Sequence, residues 1–175
     1  PPQRDLSDEL FEPRFVSGLF DEMARTYGVV NLISSFGFAH RWRRQCTAGI
    51  EIHPGSHVLD LMTGMGELVG RLTSSVGPDG RVTALDLSPA MCERAHRVTS
   101  RMSHTGRVQV VEANALECPL EDDSVDAVVS SFGLKTHNPT QQVELAREVF
   151  RVLRPGAPFS FLEISVPSAA LLRAP

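Results

Sequence analysis

The sequence predicts an α/β fold in which a doubly wound, mostly parallel sheet carries helices on both faces. Three observations predict it. From residue 57 onward, short apolar runs alternate with segments of helical period. The first run, "HVLDLM", leads straight into a glycine hinge, Gly64-Met65-Gly66. The second, "RVTALD", ends on Asp86, an acid placed about twenty residues beyond the hinge, as in nucleotide-binding sheets.

Each element follows in order. Residues 1–52 carry helical patterning without a convincing strand. In "FVSGLFDEMARTYG" the apolar residues Phe15, Leu19, Phe20 and Met23 recur at helix spacing, and "FAHRWRRQCTAGI" reads as another helix that stops at Gly49. The first strand is "HVLDLM", and a helix is expected from about Glu67 to Ser75. "GPDG" (77–80) is a turn, and "RVTALD" is the second strand. Ser88-Pro89 supplies a cap and a first-turn proline for a helix running to about Met102. "RVQVVEA", "VDAVVSS" and "PFSFLEI" read as three more strands. The helix between the last two, "TQQVELAREVFRVL", ends before Arg154-Pro155-Gly156. This alternation makes the sheet Rossmann-like, a single domain with residues 53–175 as its ligand-binding part.

Composition narrows the function. A hydrophobic fraction of 42% and a charged fraction of 22% are ordinary for a globular chain. The net charge of −4 argues against general nucleic-acid binding. No apolar run reaches the ~20 residues of a membrane span, and nothing reads as a signal peptide. Basic residues are almost all Arg, Lys135 being the one Lys, which reads as codon usage. Cys46, Cys92 and Cys118 are odd in number and far apart, without ligand spacing. Cys92 and Cys118 are expected to pack as small apolar residues. No metal site is expected, and a cytoplasmic, reducing compartment fits. A homo-oligomer is compatible with all of this.

The hinge follows a strand and opens a helix, the context of a nucleotide-type site. A dinucleotide fingerprint wants a third glycine at position 69, which is Val69; Gly70 comes one residue late. Asp60 and Glu67 flank the hinge with carboxylates, which would repel a pyrophosphate. A ligand bearing an ammonium and a sulfonium would be drawn in. S-adenosylmethionine is such a ligand, and NAD ranks second. The plainer alternative has Glu67 complementing the helix dipole and the glycines making a tight turn. Against it stands Asp86, placed where an acid accepts both hydroxyls of a ribose; its own alternative is an Asx-type cap. After the third strand, Asn114-Ala115 could meet an adenine edge, or be an ordinary turn. After the fourth, Ser130 and Ser131 lead into "FGLKTH", which puts Lys135, Thr136 and His137 at the reactive end of the crevice.

These residues resemble a class I S-adenosylmethionine-dependent methyltransferase, and more narrowly the ubiquinone/menaquinone biosynthesis C-methyltransferase family. The matching stretches are "FDEMARTYGVVNLISSFGFAHRWRR", "VLDLMTGMGE", "VTALDLSPAM", "EANALECPLEDDSVDAVVSSFGLK" and "REVFRVLRPG…FLEISVP". The resemblance implies that residues 1–52 form a lid segment. It implies that Gly64, Met65 and Gly66 hold the methionine part of the cofactor beside Asp60, and that Asp86 with its neighbour Leu87 holds the ribose. Asn114 and Ala115 would lie along the adenine, Ser131 would close from the fourth strand, and Tyr27 would cover the cofactor from the lid.

This chain departs from the family at named places. Met65 stands where the family usually has Thr, and Tyr27-Gly28 where it commonly has Tyr-Asp. Its "FGLRN" becomes "FGLKTH" here; Lys135 replaces an Arg, and the two are not interchangeable at a bidentate contact. These changes fall in the expected acceptor pocket, so the resemblance carries methyl transfer further than it carries the acceptor. Such folds also continue beyond the fifth strand, so the chain reads as a fragment with a bare sheet edge.

A small-molecule acceptor, phenolic or quinol-like, is expected, with C- or O-methylation. Its hydroxyl must lose a proton, and His137 and Tyr27 are the candidate bases. His137 could equally be a surface loop residue, and His40 reads as a helix-face residue. "RWRR" (41–44) invites a membrane-surface reading; the favoured one buries Trp42 and solvates the arginines. Two other classes compete. One is a methyltransferase fold that binds ligand without transferring methyl, and the less favoured is an NAD-dependent oxidoreductase.

Overall fold

The computed structural model describes residues 9–23, 38–102 and 107–164. Helices α1 (Pro13–Met23) and α2 (Phe38–Ala48) precede the sheet. Then come β1 (His57–Leu61), α3 (Val69–Val76), β2 (Arg81–Asp86), α4 (Pro89–Thr99) and β3 (Val108–Glu112). The chain continues through β4 (Ala127–Ser131), a 3₁₀ turn at Leu134–Thr136, α5 (Pro139–Val152) and β5 (Phe159–Leu162).

The five strands run parallel in the order β3-β2-β1-β4-β5. The chain starts in the middle of the sheet, steps outward to β3, then crosses back to β4 on the other side of β1. That reversal opens a crevice beyond the carboxyl ends of β1 and β4. Central strands covered on both faces bury every position, and all five residues of β1 are buried, the polar His57 and Asp60 among them. Val58, Val82 and Val129 face α3 through Leu72 and Val76. Leu59, Leu61, Leu85 and Val128 face α5 through Leu145, Val149 and Val152.

Local chemistry sets the helix ends. The Ser88 side chain accepts the Met91 amide (3.1 Å) with Pro89 in the first turn. At α5, Asn138 and Gln141 form a reciprocal capping box ahead of Pro139. Two expected boundaries move. Helix α3 begins at Val69 rather than at Glu67, because Gly64–Leu68 is spent on turns and Glu67 folds back on the Met65 amide. Helix α4 ends at Thr99, three residues before Met102, where Ser100 donates its amide to His96 O.

The connection from β3 to β4 carries Asn114 and Ala115 and holds no helix of its own. Arg151 pins it: its guanidinium donates to the carbonyls of Cys118 (2.9 Å) and Leu120 (2.8 Å) and to the carboxylates of Glu148 and Asp122. Such charge-assisted bonds are the stronger kind. At the opposite end of β1, the buried His57 ring bridges Ser124 O (3.2 Å) and the Thr83 hydroxyl (2.8 Å). Burial pushes its pKa down, and this end of the sheet is structural. Strand β5 pairs only with β4 among the described residues, and Phe159 on it is largely exposed. All three cysteines are buried and free. No helix among the described residues is long and apolar enough to cross a membrane.

Candidate functional site

The crevice holds a cavity of about 800 Å³, counting the part open to solvent. Its floor is made where β1, β2 and β4 end. After β1 the backbone turns through Met62 (φ 57°), Gly64 (φ 60°) and Gly66 (φ 80°). Only glycine takes such angles without cost; a left-handed Met costs of order 1–3 kcal/mol. Phe132, just after β4, is left-handed as well (φ 65°). Both strained residues line the cavity, and Gly133 packs so tightly on Met62 that a Cβ there would lie 2.6 Å from its Sδ. Gly66 also lies close to α4: a Cβ there would meet Ala95 at 3.4 Å, an ordinary contact, so its left-handed φ is what favours glycine.

Asp86 locks this floor together. One carboxylate oxygen accepts the Gly64 amide (2.8 Å) and the other the Ser88 amide (3.0 Å). A carboxylate has about four acceptor positions, so it can still receive hydroxyls from the cavity. Burial pushes its pKa up to about 6, against the amides of Ser88 and Gly64, which hold it down.

Asp60 sits deeper, 1% exposed, with its carboxylate accepting the Thr63 hydroxyl at 2.6 Å. Burial pushes its pKa up to about 7, opposed by that hydrogen bond and reinforced by Glu67 and Asp86. A folded-state pKa raised above the ordinary 3.8 means that this group's contribution to stability is full below that value. It is lost as pH rises through about 7. The loss is on the order of 2–4 kcal/mol. Asp60→Asn keeps an acceptor for Thr63 and is expected to remove this share of the pH dependence. Urea unfolding of both proteins at pH 4 and pH 8 measures it, and parallel pH dependences would contradict it.

Glu67 is not a free charge either. Arg43 of α2 donates to its Oε1 at 2.9 Å, lies over the Phe132 ring (5.1 Å to the centroid) and reaches the Ser131 hydroxyl at 3.4 Å. Of the arginines in "RWRR", Arg41 and Arg44 are exposed and Arg43 is not, which corrects the expectation that all are solvated. Trp42 is half-buried between Phe38 and Phe132. The repulsion argument against a pyrophosphate is therefore weaker than a count of carboxylates implied. One of the two is ion-paired, and the other is held partly protonated near neutral pH.

The far wall is apolar on one side and polar on the other. Helix α1 presents Pro13, Val16 and Phe20, with Phe11 ahead of it. None of its own residues is buried, so it is held by a few bonds. Gln141 donates to Phe11 O (3.0 Å), and Asp21 accepts both the Ser88 hydroxyl (2.6 Å) and the Ala90 amide (3.1 Å). Opposite stand Thr136 and His137, half-buried. Burial pushes the His137 pKa below its usual value, with the Gly133 carbonyl pulling the other way.

Of the residues expected from the sequence, Gly64, Asp86, Leu87, Asn114, Ala115, Ser131, Thr136 and His137 all line this cavity. Asp60, Met65, Gly66 and Lys135 do not. Met65 lies near Arg94 (3.9 Å). Lys135 is exposed, with its amide bonded to Glu163. Tyr27 lies outside the described residues. His40 is exposed on α2. Arg43, Thr63, Phe20, Phe132 and Gln141 line the cavity without having been singled out. For Arg43 a signal existed, since it falls on the inward helix face with Ala39 and Cys46.

A family model described as the ubiE/COQ5 methyltransferase family matches residues 7–175. The ubiquinone/menaquinone biosynthesis C-methyltransferase UbiE of Shewanella sediminis is 33% identical over 158 residues, covering 90% of this chain and 62% of that protein. The demethylmenaquinone methyltransferase of Lactiplantibacillus plantarum is 35% identical over 158 residues, covering 90% and 66%. The chain thus spans just under two thirds of the length of these curated relatives. Among solved structures, the DhpI-SAM-HEP complex matches with a TM-score of 0.72 at 20% identity, over 91% of this chain and 68% of that one. At that identity the likeness is one of fold.

Proposed function

The chain belongs to the ubiE/COQ5 methyltransferase family, and from that premise we propose that it moves a methyl group from S-adenosylmethionine to a small hydroxylated aromatic acceptor, a phenol or quinol. One observation carries the reading. The cavity joins a glycine floor and an acceptor carboxylate, Asp86, to a separate wall bearing the imidazole of His137.

The residues fit such a cofactor. Asp86 retains acceptor positions for two ribose hydroxyls, and Leu87, Met91, Ala115 and Leu116 offer flat apolar contact for a purine. Arg43 and Glu67, opposite charges 2.9 Å apart at the rim, match a zwitterionic amino-acid end. When bound, the cofactor supplies an activated methyl on a sulfonium, and the displacement needs in-line approach rather than acid-base help at sulfur. The chain's task is then alignment, exclusion of water and removal of one proton from the acceptor. The apolar side chains of α1 and Phe132 line one side of the cavity, and His137, which also lines it, is the group we take as the base.

The preference for a sulfonium over a dinucleotide rests on the family and on Val69 in place of a third glycine, more than on the partly neutralised carboxylates. Calorimetry with S-adenosylmethionine, with NAD in parallel, tests it. Micromolar binding of the first alone is expected, followed by methylated product from phenols or quinols by mass spectrometry. Binding of NAD alone would overturn the reading. Tight binding with no methylated product across such acceptors would favour a fold that binds ligand without transferring methyl.

A further inference from the structure

We propose that Thr136 is a positioning residue that fixes the tautomer of His137, so that Nε2 is the ring nitrogen free to take a proton. The proposal rests on the reading of His137 as the base. The argument turns on where one hydrogen lies. Thr136 Oγ1 is 2.7 Å from the carbonyl oxygen of Gly133, which can only accept, so the hydroxyl proton lies on that bond. The same Oγ1 is 3.1 Å from Nδ1 of His137. With its one proton committed, the hydroxyl can only accept there, and Nδ1 must carry the hydrogen. The opposite tautomer would set a nitrogen lone pair against oxygen lone pairs, or turn the hydroxyl away from Gly133 O and leave that carbonyl only the longer bond from the Thr136 amide.

The surrounding backbone leaves little room to escape this. The Thr136 amide also donates to Gly133 O (3.2 Å), and the His137 amide to Leu134 O (3.3 Å). Gln142 Nε2 donates to the His137 carbonyl at 3.0 Å. The turn from Gly133 to His137 is thus tied to itself and to Gln142 before the imidazole is oriented. Among the described residues the one side-chain hydrogen bond to the ring is at Nδ1, and the Gly133 carbonyl that binds the Thr136 hydroxyl also bears on the ring. In the proton transfer, the acceptor's O–H bond breaks and its proton joins Nε2. The imidazolium keeps its Nδ1 hydrogen on Thr136, and the proton later leaves to water.

The test is nitrogen NMR of the whole chain labelled with ¹⁵N-histidine at pH 8, where the ring is neutral, with His137→Gln assigning the signal. The wild type should show Nδ1 protonated and Nε2 bare. Thr136→Val should shift the ring toward the Nε2-protonated form that imidazoles prefer in water, and Thr136→Ser should restore the wild-type pattern. With acceptor, Thr136→Val should lower kcat ~10- to 100-fold, with KM little changed and Thr136→Ser recovering most of the loss. Unaltered affinity for S-adenosylmethionine shows that the valine variant is folded. A wild-type ring protonated on Nε2, or a tautomer unchanged in Thr136→Val, overturns the proposal. The expected NMR pattern together with a fully active His137→Gln would leave the tautomer standing and remove His137 as the base, so the two failures are distinguishable.

Discussion

Replacing Asp86 with alanine is expected to weaken S-adenosylmethionine binding by about 100-fold or more, since each lost charge-assisted hydrogen bond is worth ~1.5–3 kcal/mol. Two effects would contribute. The carboxylate would no longer receive the ribose hydroxyls, and the Gly64 and Ser88 amides would lose the group that holds them together. A cofactor analogue lacking one ribose hydroxyl separates them. If Asp86 accepts that hydroxyl, the wild type discriminates between cofactor and analogue and Asp86→Ala does not. If only the loop is at stake, both proteins discriminate equally. The carboxyl's raised pKa, about 6, adds a signature of known sign. The ionised form accepts hydroxyls, so affinity should be full above that value and fall as pH drops through it. Calorimetry from pH 5 to pH 8 that gave a flat affinity would remove Asp86 from the ribose site.

How far the sequence carried this site can be judged residue by residue. The β-α alternation was legible because a buried parallel strand shows as a short, mostly apolar run, as "VLDL" and "AVV" do. Sheet order then follows from connection rules, and the ends of β1, β2 and β4 fall together by topology. For that reason Gly64, Asp86, Asn114, Ser131 and His137, expected from the sequence around one crevice, all line the cavity. Side-chain pairing was not legible. Glu67 reads as a helix-start acid, yet it folds back on the loop and meets Arg43, twenty-four residues away in sequence. Asp60 reads as a carboxylate flanking the hinge beside the ligand, yet it is buried, accepts the Thr63 hydroxyl and does not line the cavity. Nor does a sequence announce left-handed Met62 and Phe132. These residues follow the ends of β1 and β4, where Gly133 packs against Met62. Helix α1 was legible as amphipathic, but Asp21 capping the start of α4 is a long-range bond that no local pattern encodes.

Substituting His137 by glutamine should lower kcat by ~10²- to 10⁴-fold, the usual range for loss of a general base, while leaving cofactor affinity within about twofold. Glutamine keeps a polar side chain of similar reach and cannot take up a proton at neutral pH. The pH profile distinguishes this from a loss of shape. Burial lowers the His137 pKa from its ordinary 6.5, so the ring is neutral and able to accept a proton above that pH. Activity should be full there and fall as pH drops below it. Asp86 titrates in a neighbouring range, but the two can be resolved. At saturating cofactor, the acid limb of kcat reports the base, whereas the pH dependence of cofactor affinity reports Asp86. In His137→Gln the first limb should vanish and the second remain. A variant that kept kcat within about fivefold, with its acid limb intact, would transfer the role away from His137. Tyr27→Phe would then be the deciding substitution, because Tyr27, which the resemblance sets over the cofactor, is the other candidate base.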